Sequence, residues 1–199
     1  TCVVIRDTWT YSEQVTVQGF NSNNNRLIIM STFTDAAPVV SPPVSNSTAA
    51  FQIMNASVTI QNINVIPANA VNYGIQASSA YVTLSSVSVQ DPGGSIKFAG
   101  IEISSQSAIE HSSVTVVAAH GIYLPGSTMT AVSYSSAQAD SAAHYALYLN
   151  GASSNTFTVF LATNSASVPD CPLCIGGYLL DSAYNTINQS TFTSNSKDK

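Results

Sequence analysis

Gly74-Ile75-Gln76-Ala77, Gly100-Ile101-Glu102-Ile103 and Gly121-Ile122-Tyr123-Leu124 repeat one short pattern: a small residue, an aliphatic, a polar or aromatic residue, and an apolar one. The pattern extends back to Ala50-Phe51-Gln52-Ile53 and forward to Ala146-Leu147-Tyr148-Leu149 and, more loosely, to Gly177-Tyr178-Leu179-Leu180. A second pattern keeps the same beat through Val58-Thr59-Ile60, Val82-Thr83-Leu84, Ile109-Glu110-His111, Met129-Thr130-Ala131, Asn155-Thr156-Phe157 and Asn185-Thr186-Ile187. The first column steps by 24, 26, 21, 25 and 31 residues and the second by 24, 27, 20, 26 and 30. A repeated unit of this length holding short alternating strands predicts a solenoid. Its Val, Ile, Thr, Tyr, Ser, Asn and Gly content suits strands and not helices.

The fold expected is therefore an all-β, single-domain parallel β-helix of about eight coils. Residues 1–49 would form opening coils with a Pro-rich loop, 50–192 the regular coils, and 193–199 a flexible tail. Pro38, Pro42 and Pro43 argue against a central strand in that loop and for a protruding segment. The longest insertions fall at 89–95 and 164–174, and in solenoids such insertions often mark the binding face.

The Gly-Ile-x-Ile strands, together with the Ser153–Phe160 stretch SSNTFTVF and the Ser182–Phe192 stretch SAYNTINQSTF, resemble the right-handed parallel β-helix (pectin lyase-like) superfamily. That superfamily includes pectin lyases, pectin esterases and polygalacturonases as well as non-catalytic surface proteins. The resemblance implies the right-handed winding. Residues 3–19, VVIRDTWTYSEQVTVQG, are similar to the first coil of pectin esterases, although Trp9 stands where a glycine is usual, so Tyr11 and Glu13 match in part.

The catalytic signatures of those enzymes are incomplete. His120-Gly121 resembles the His-Gly of polygalacturonases, without that family's other acidic and basic segments. Gln90-Asp91 is the only echo of the pectin esterase motifs. Lys97 is the sole basic residue between Arg26 and Lys197, which leaves a uronate lyase without its cationic cleft. A glycoside hydrolase needs two carboxylates about 5–10 Å apart. Glu102 is expected between Gln76 and Tyr123, and Glu110 between Thr83 and Thr130, neither with an acidic neighbour in its column.

Asp, Glu, Lys and Arg make up 8% of the chain, and the net charge is -5. Five basic residues give no footprint for nucleic acid, and no apolar run reaches the ~20 residues of a membrane-spanning helix, so no membrane insertion is expected. The chain opens at Thr1-Cys2 and reads as a mature or excised domain. No capping segment is evident at either terminus, which suggests coils that stack on neighbouring subunits or continue in a longer protein.

Cys171 and Cys174 are spaced for a local disulfide, with a free thiol pair or a metal or redox centre as alternatives. His111, His120 and His144 lie coils away, so no metal site and no cofactor are expected. Asn46, Asn55 and Asn188 sit in glycosylation sequons, which Ser- and Asn-rich strands also generate by chance.

Two outer ladders remain. Gln76, Glu102, Tyr123 and Tyr148 should follow one another on an outward row, where the stacked tyrosines could bind a glycan or merely cover the flank. Thr59, Thr83, Glu110, Thr130, Thr156 and Thr186 form a threonine row resembling ice-binding surfaces but interrupted at Glu110. The expected role is a non-catalytic extracellular or cell-surface module, structural or adhesive, able to assemble end to end into a filament or to meet glycans. The alternative is a carbohydrate-active enzyme of the pectin lyase-like class.

Overall fold

The computed structural model describes residues 1–20, 26–33, 36–44, 47–104, 106–166 and 174–195. The chain winds as a right-handed parallel β-helix of about six full turns, with partial coils at the ends that approach the expected count. No helix occurs among the described residues.

Each coil contributes strands to three faces. The first face is laid down by Cys2–Ile5, Leu27–Ser31, Ser57–Gln61, Tyr81–Ser85 and Ser107–Glu110. The second is laid down by Thr10–Tyr11, Val39–Val40, Asn64–Val65, Ser88–Asp91 and Ser113–Val116. The long strands Ala131–Ala139 and Thr156–Asn164 bend across both, merging them into one 14-stranded sheet completed by Thr186–Asn188 and Thr191–Ser194. The third face is a 7-stranded sheet of Val15–Gln18, Ser47–Met54, Val71–Ser78, Ile96–Ile103, His120–Pro125, Leu147–Asn150 and Gly177–Leu180.

Because every strand pairs in parallel with its counterpart one coil away, each inward position becomes a column. Phe51, Ile75, Ile101, Ile122 and Leu147 stack in register, all at 0–1% exposure. Ile29, Ile60, Leu84, Ile109, Val132 and Phe157 stack on the first face, and Val40, Val65, Val89, Val114, Ala137 and Ala162 on the second. Apolar burial along these columns supplies the main stabilising term. Gly74 is required by their closeness, since a Cβ there would lie 2.6 Å from both the Gly100 carbonyl oxygen and Val89 Cγ1.

The corner between the first and second faces is turned by a single residue in the left-handed region: Asn62, Ser86, His111, Tyr134, Val159 and Gln189, with φ between 48° and 54°. Asn tolerates this conformation; a β-branched Val does so only with strain. Serines next to the corner complete the turn. Ser112 Oγ accepts the Val87 N–H of the preceding coil (3.1 Å) and donates to the Glu110 carbonyl (2.8 Å). Ser135 repeats both bonds, to the Ser112 N–H and the Ser133 carbonyl. Uncharged side chains thus satisfy the turn's backbone, as a charge-poor chain requires.

Three sequence expectations are corrected. The segment expected to protrude around the prolines carries the strand Val39–Val40, paired on both sides, with Val40 buried. Pro38 and Pro42 flank the strand, so its own amides remain free to pair. The threonine row is broken, because Thr83 is followed by Ala108 and Ala131 before Thr156 and Thr186. Glu110 instead pairs with Ser85 and Ser133, and Thr130 is buried with its N–H donated to Asn155 Oδ1. Finally, Gly177, not Tyr178, stands over Leu147. A one-residue slip exchanges inside for outside, so Tyr178 faces outward.

Ile101→Ala should lower unfolding free energy by about 2–5 kcal/mol through loss of buried contact and cavity formation. Val159→Asn should raise it by about 1 kcal/mol by relieving the left-handed corner. Urea denaturation followed by circular dichroism checks both, and a destabilised Val159→Asn protein would remove the strain argument.

Candidate functional site: an aromatic platform on the third face

The outward row of the third face runs in register from Gln52 through Gln76, Glu102, Tyr123 and Tyr148 to Tyr178. The structure therefore brings together all four residues expected there and adds Tyr178. Tyr123 stacks on Tyr148 with ring centroids 5.0 Å apart and planes inclined by 22°, and Tyr148 meets Tyr178 at 5.8 Å. The rings are half-buried, so each keeps part of its surface open to solvent.

Further rings widen this ladder. The pairing of Ile96–Ile103 with Val71–Ser78 shifts register between Ile96 and Ala99. Phe98, 38% exposed, lies in that irregularity and packs edge-on against Tyr73 (5.6 Å) and Tyr123 (5.3 Å). Such a bulge re-aims a side chain at the cost of one ladder position. Beyond it lie His120, His144 and Tyr145, with His120 at 4.9 Å from Tyr148, 5.4 Å from Tyr145 and 4.8 Å from His144 between ring centroids. His144 and Tyr145 come from an insertion where the chain passes from the second face to the third. Asn164 Nδ2 pins that insertion by donating to the carbonyls of Ser141 (2.9 Å) and His144 (2.8 Å).

The Glu102 carboxylate is held by neutral donors. Gln76 Nε2 donates to Glu102 Oε1 at 3.3 Å. The Tyr73 hydroxyl also donates to Glu102, and burial followed by this bond raises its pKa above the ordinary tyrosine value. His120 Nδ1 accepts the Tyr145 backbone N–H at 2.9 Å, which places the ring proton on Nε2. Burial, then repulsion from His144, pushes the His120 pKa down to about 4. His144 is also lowered by burial. Burial raises Tyr148, with smaller contributions from Tyr123, Tyr145, Tyr178 and Asp181. The site is a column of stacked neutral rings, bordered by Glu102 on one side and Asp181 on the other.

The remaining candidates are dispersed. Asp91 is buried, and its carboxylate accepts the N–H groups of Ser95 (2.6 Å) and Ile96 (3.1 Å), where it shapes a loop. Asn55 and Asn188 are exposed, and Asn46 lies outside the described residues. Cys174 is buried and disulfide-bonded, Cys2 is free and exposed, and Cys171 lies outside the described residues. A concavity of about 570 Å³ on the first face is lined by Arg26, Tyr81, Thr83, Gln106 and Met129. There Arg26 is engaged with the Thr83 hydroxyl, and Gln106 Nε2 lies 3.3 Å from Met129 Sδ.

Sequence reasoning missed Tyr73, Phe98, His144, Tyr145 and Tyr178 as platform members. None of them left a signal, since four of the five steps differ by one between the two columns and the last pair, 31 against 30, does not stand out. Compared with known protein families, curated proteins and solved structures, the chain matches none.

Between about pH 6.5 and 4, His120 stays neutral in the folded protein while the unfolded chain takes up a proton. Stability from this group is therefore whole above pH 6.5 and is lost as pH falls through that window. His120→Gln should flatten the pH dependence there. Denaturant midpoints at pH 7 and 4.5 check this, and an unchanged slope in the variant would contradict it.

Proposed function

We propose that this β-helix is a non-catalytic extracellular adhesive module that binds glycans on the third face. The observation that carries the reading is the stack of Tyr123, Tyr148 and Tyr178 on three consecutive coils, rings partly open and flanked by Phe98. Coils of a parallel sheet repeat every ~4.8 Å, so the rings form a strip along the solenoid axis. Because neighbouring rings stack face to face, the strip presents ring edges and hydroxyls, along which an extended saccharide chain can run. Glu102, Gln76 and Asp181 stand at its margins to accept or donate hydrogen bonds to hydroxyls.

The extracellular setting is supported by the disulfide at Cys174 and by a surface made soluble with Ser, Thr and Asn instead of charge. The end coils expose Val3, Val4 and Trp9 at one end and Leu179, Leu180, Tyr184 and Ile187 at the other. These residues favour stacking on other subunits or on further coils. Kinship with pectin lyase-like β-helices belongs to the same proposal, and the Gly-Ile strands and coil lengths support it. The enzymatic alternative draws no support from a pair of acids in one column, since Glu102 lies between Gln76 and Tyr123.

Tyr148→Ala should weaken saccharide binding tenfold or more, as loss of a central aromatic anchor does, while Tyr81→Ala on the first face should not. A glycan array followed by calorimetry provides the measurement. Equal binding by Tyr148→Ala and the parent protein would remove the platform from the function. Product release from pectin or polygalacturonate by the parent protein would establish the enzymatic alternative.

A further inference from the structure

Glu102 is the least expected group on the platform. It is 8% exposed, sits on the outward row between Gln76 and Tyr123, and is hydrogen-bonded by Gln76 and Tyr73, both neutral. A carboxylate withdrawn from water is costly unless its charge is compensated. Lys97, the basic residue on the same strand, directs its ammonium to the Gly94 carbonyl at 2.6 Å. Around the carboxylate stand Tyr73 and Tyr123, with Phe98 packed edge-on against both. Aromatic faces attract cations within about 6 Å of the ring centroid, and the attraction grows with desolvation. A carboxylate ringed by aromatics and held by neutral donors therefore matches a small ammonium group.

We infer that the platform selects saccharides carrying a free amine, an amino sugar whose ammonium pairs with Glu102 at the rim formed by Tyr73, Phe98 and Tyr123 while the following units run along the edges of Tyr148 and Tyr178. This rests on the glycan-binding reading and narrows it to a substrate class. The geometry suits an amino sugar better than a free amine, because the tyrosine strip continues away from Glu102 along the axis and offers ring edges and hydroxyls to the neighbouring units. It disfavours uronate polymers, whose carboxylates would approach Glu102 at one margin and Asp181 at the other without a cation between them.

The test uses three trisaccharide probes, glucosamine trimer, N-acetylglucosamine trimer and cellotriose, titrated calorimetrically into the parent protein, Glu102→Gln and Tyr148→Ala at low salt and pH 6. The expected result is that the amine trimer binds the parent about tenfold or more tighter than the acetylated one. Glu102→Gln, which keeps the side-chain shape, should erase that preference; Tyr148→Ala should weaken all three probes. In the parent protein, molar salt should erase the amine preference without abolishing cellotriose binding, which provides a readout even if a variant fails to fold. Equal affinity of the parent for amine and acetylated trimers, or a preference that survives in Glu102→Gln, overturns the inference while the tyrosine platform stands. Absence of binding by all three probes overturns both.

Discussion

Every feature of this molecule follows from the backbone ladder that joins each coil to the next. Parallel pairing without offset forces chemically similar residues into columns, and a column is stable only if each member fits the space left by its neighbours. Inside, the requirement is met by Ile, Leu and Val at nearly zero exposure. At the corners, one left-handed residue repeats from coil to coil, with serine following it at His111, Tyr134 and Gln189. Outside, where packing does not dictate identity, the same register brings polar and aromatic residues into rows. One outward row thus changes from glutamine to glutamate to tyrosine along the axis.

The platform shows how burial tunes such a row. His120 lies at the centre of the rings, its pKa pushed down to about 4, and contributes a neutral surface in place of a charge. The raised tyrosines do the same from the other side of the pH scale, remaining protonated donors. Glu102 and Asp181 then place one carboxylate at each margin, with the neutral rings between them.

Much of this was legible in the chain. The alternation of Gly-Ile-x-Ile strands located the third face and its outward row because inside and outside residues differ in kind there. The first face was harder: Val58, Val82 and Ile109 were grouped by chemistry, yet Leu84 is the true partner of Ile109. Val and Ile are interchangeable in a column, so similarity alone cannot exclude a two-residue offset. Tyr178 was hidden by an equally small slip. Phe98 depends on a local irregularity, and His144 and Tyr145 on an insertion, neither of which a periodic pattern encodes.

The final coil, Thr186–Asn188 and Thr191–Ser194, is mostly exposed, while the coils before it are closed over their apolar columns. Tension along the solenoid axis would run parallel to the interstrand bonds and load the rungs in series, so the weakest rung, not the sum of them, would set the strength of the whole.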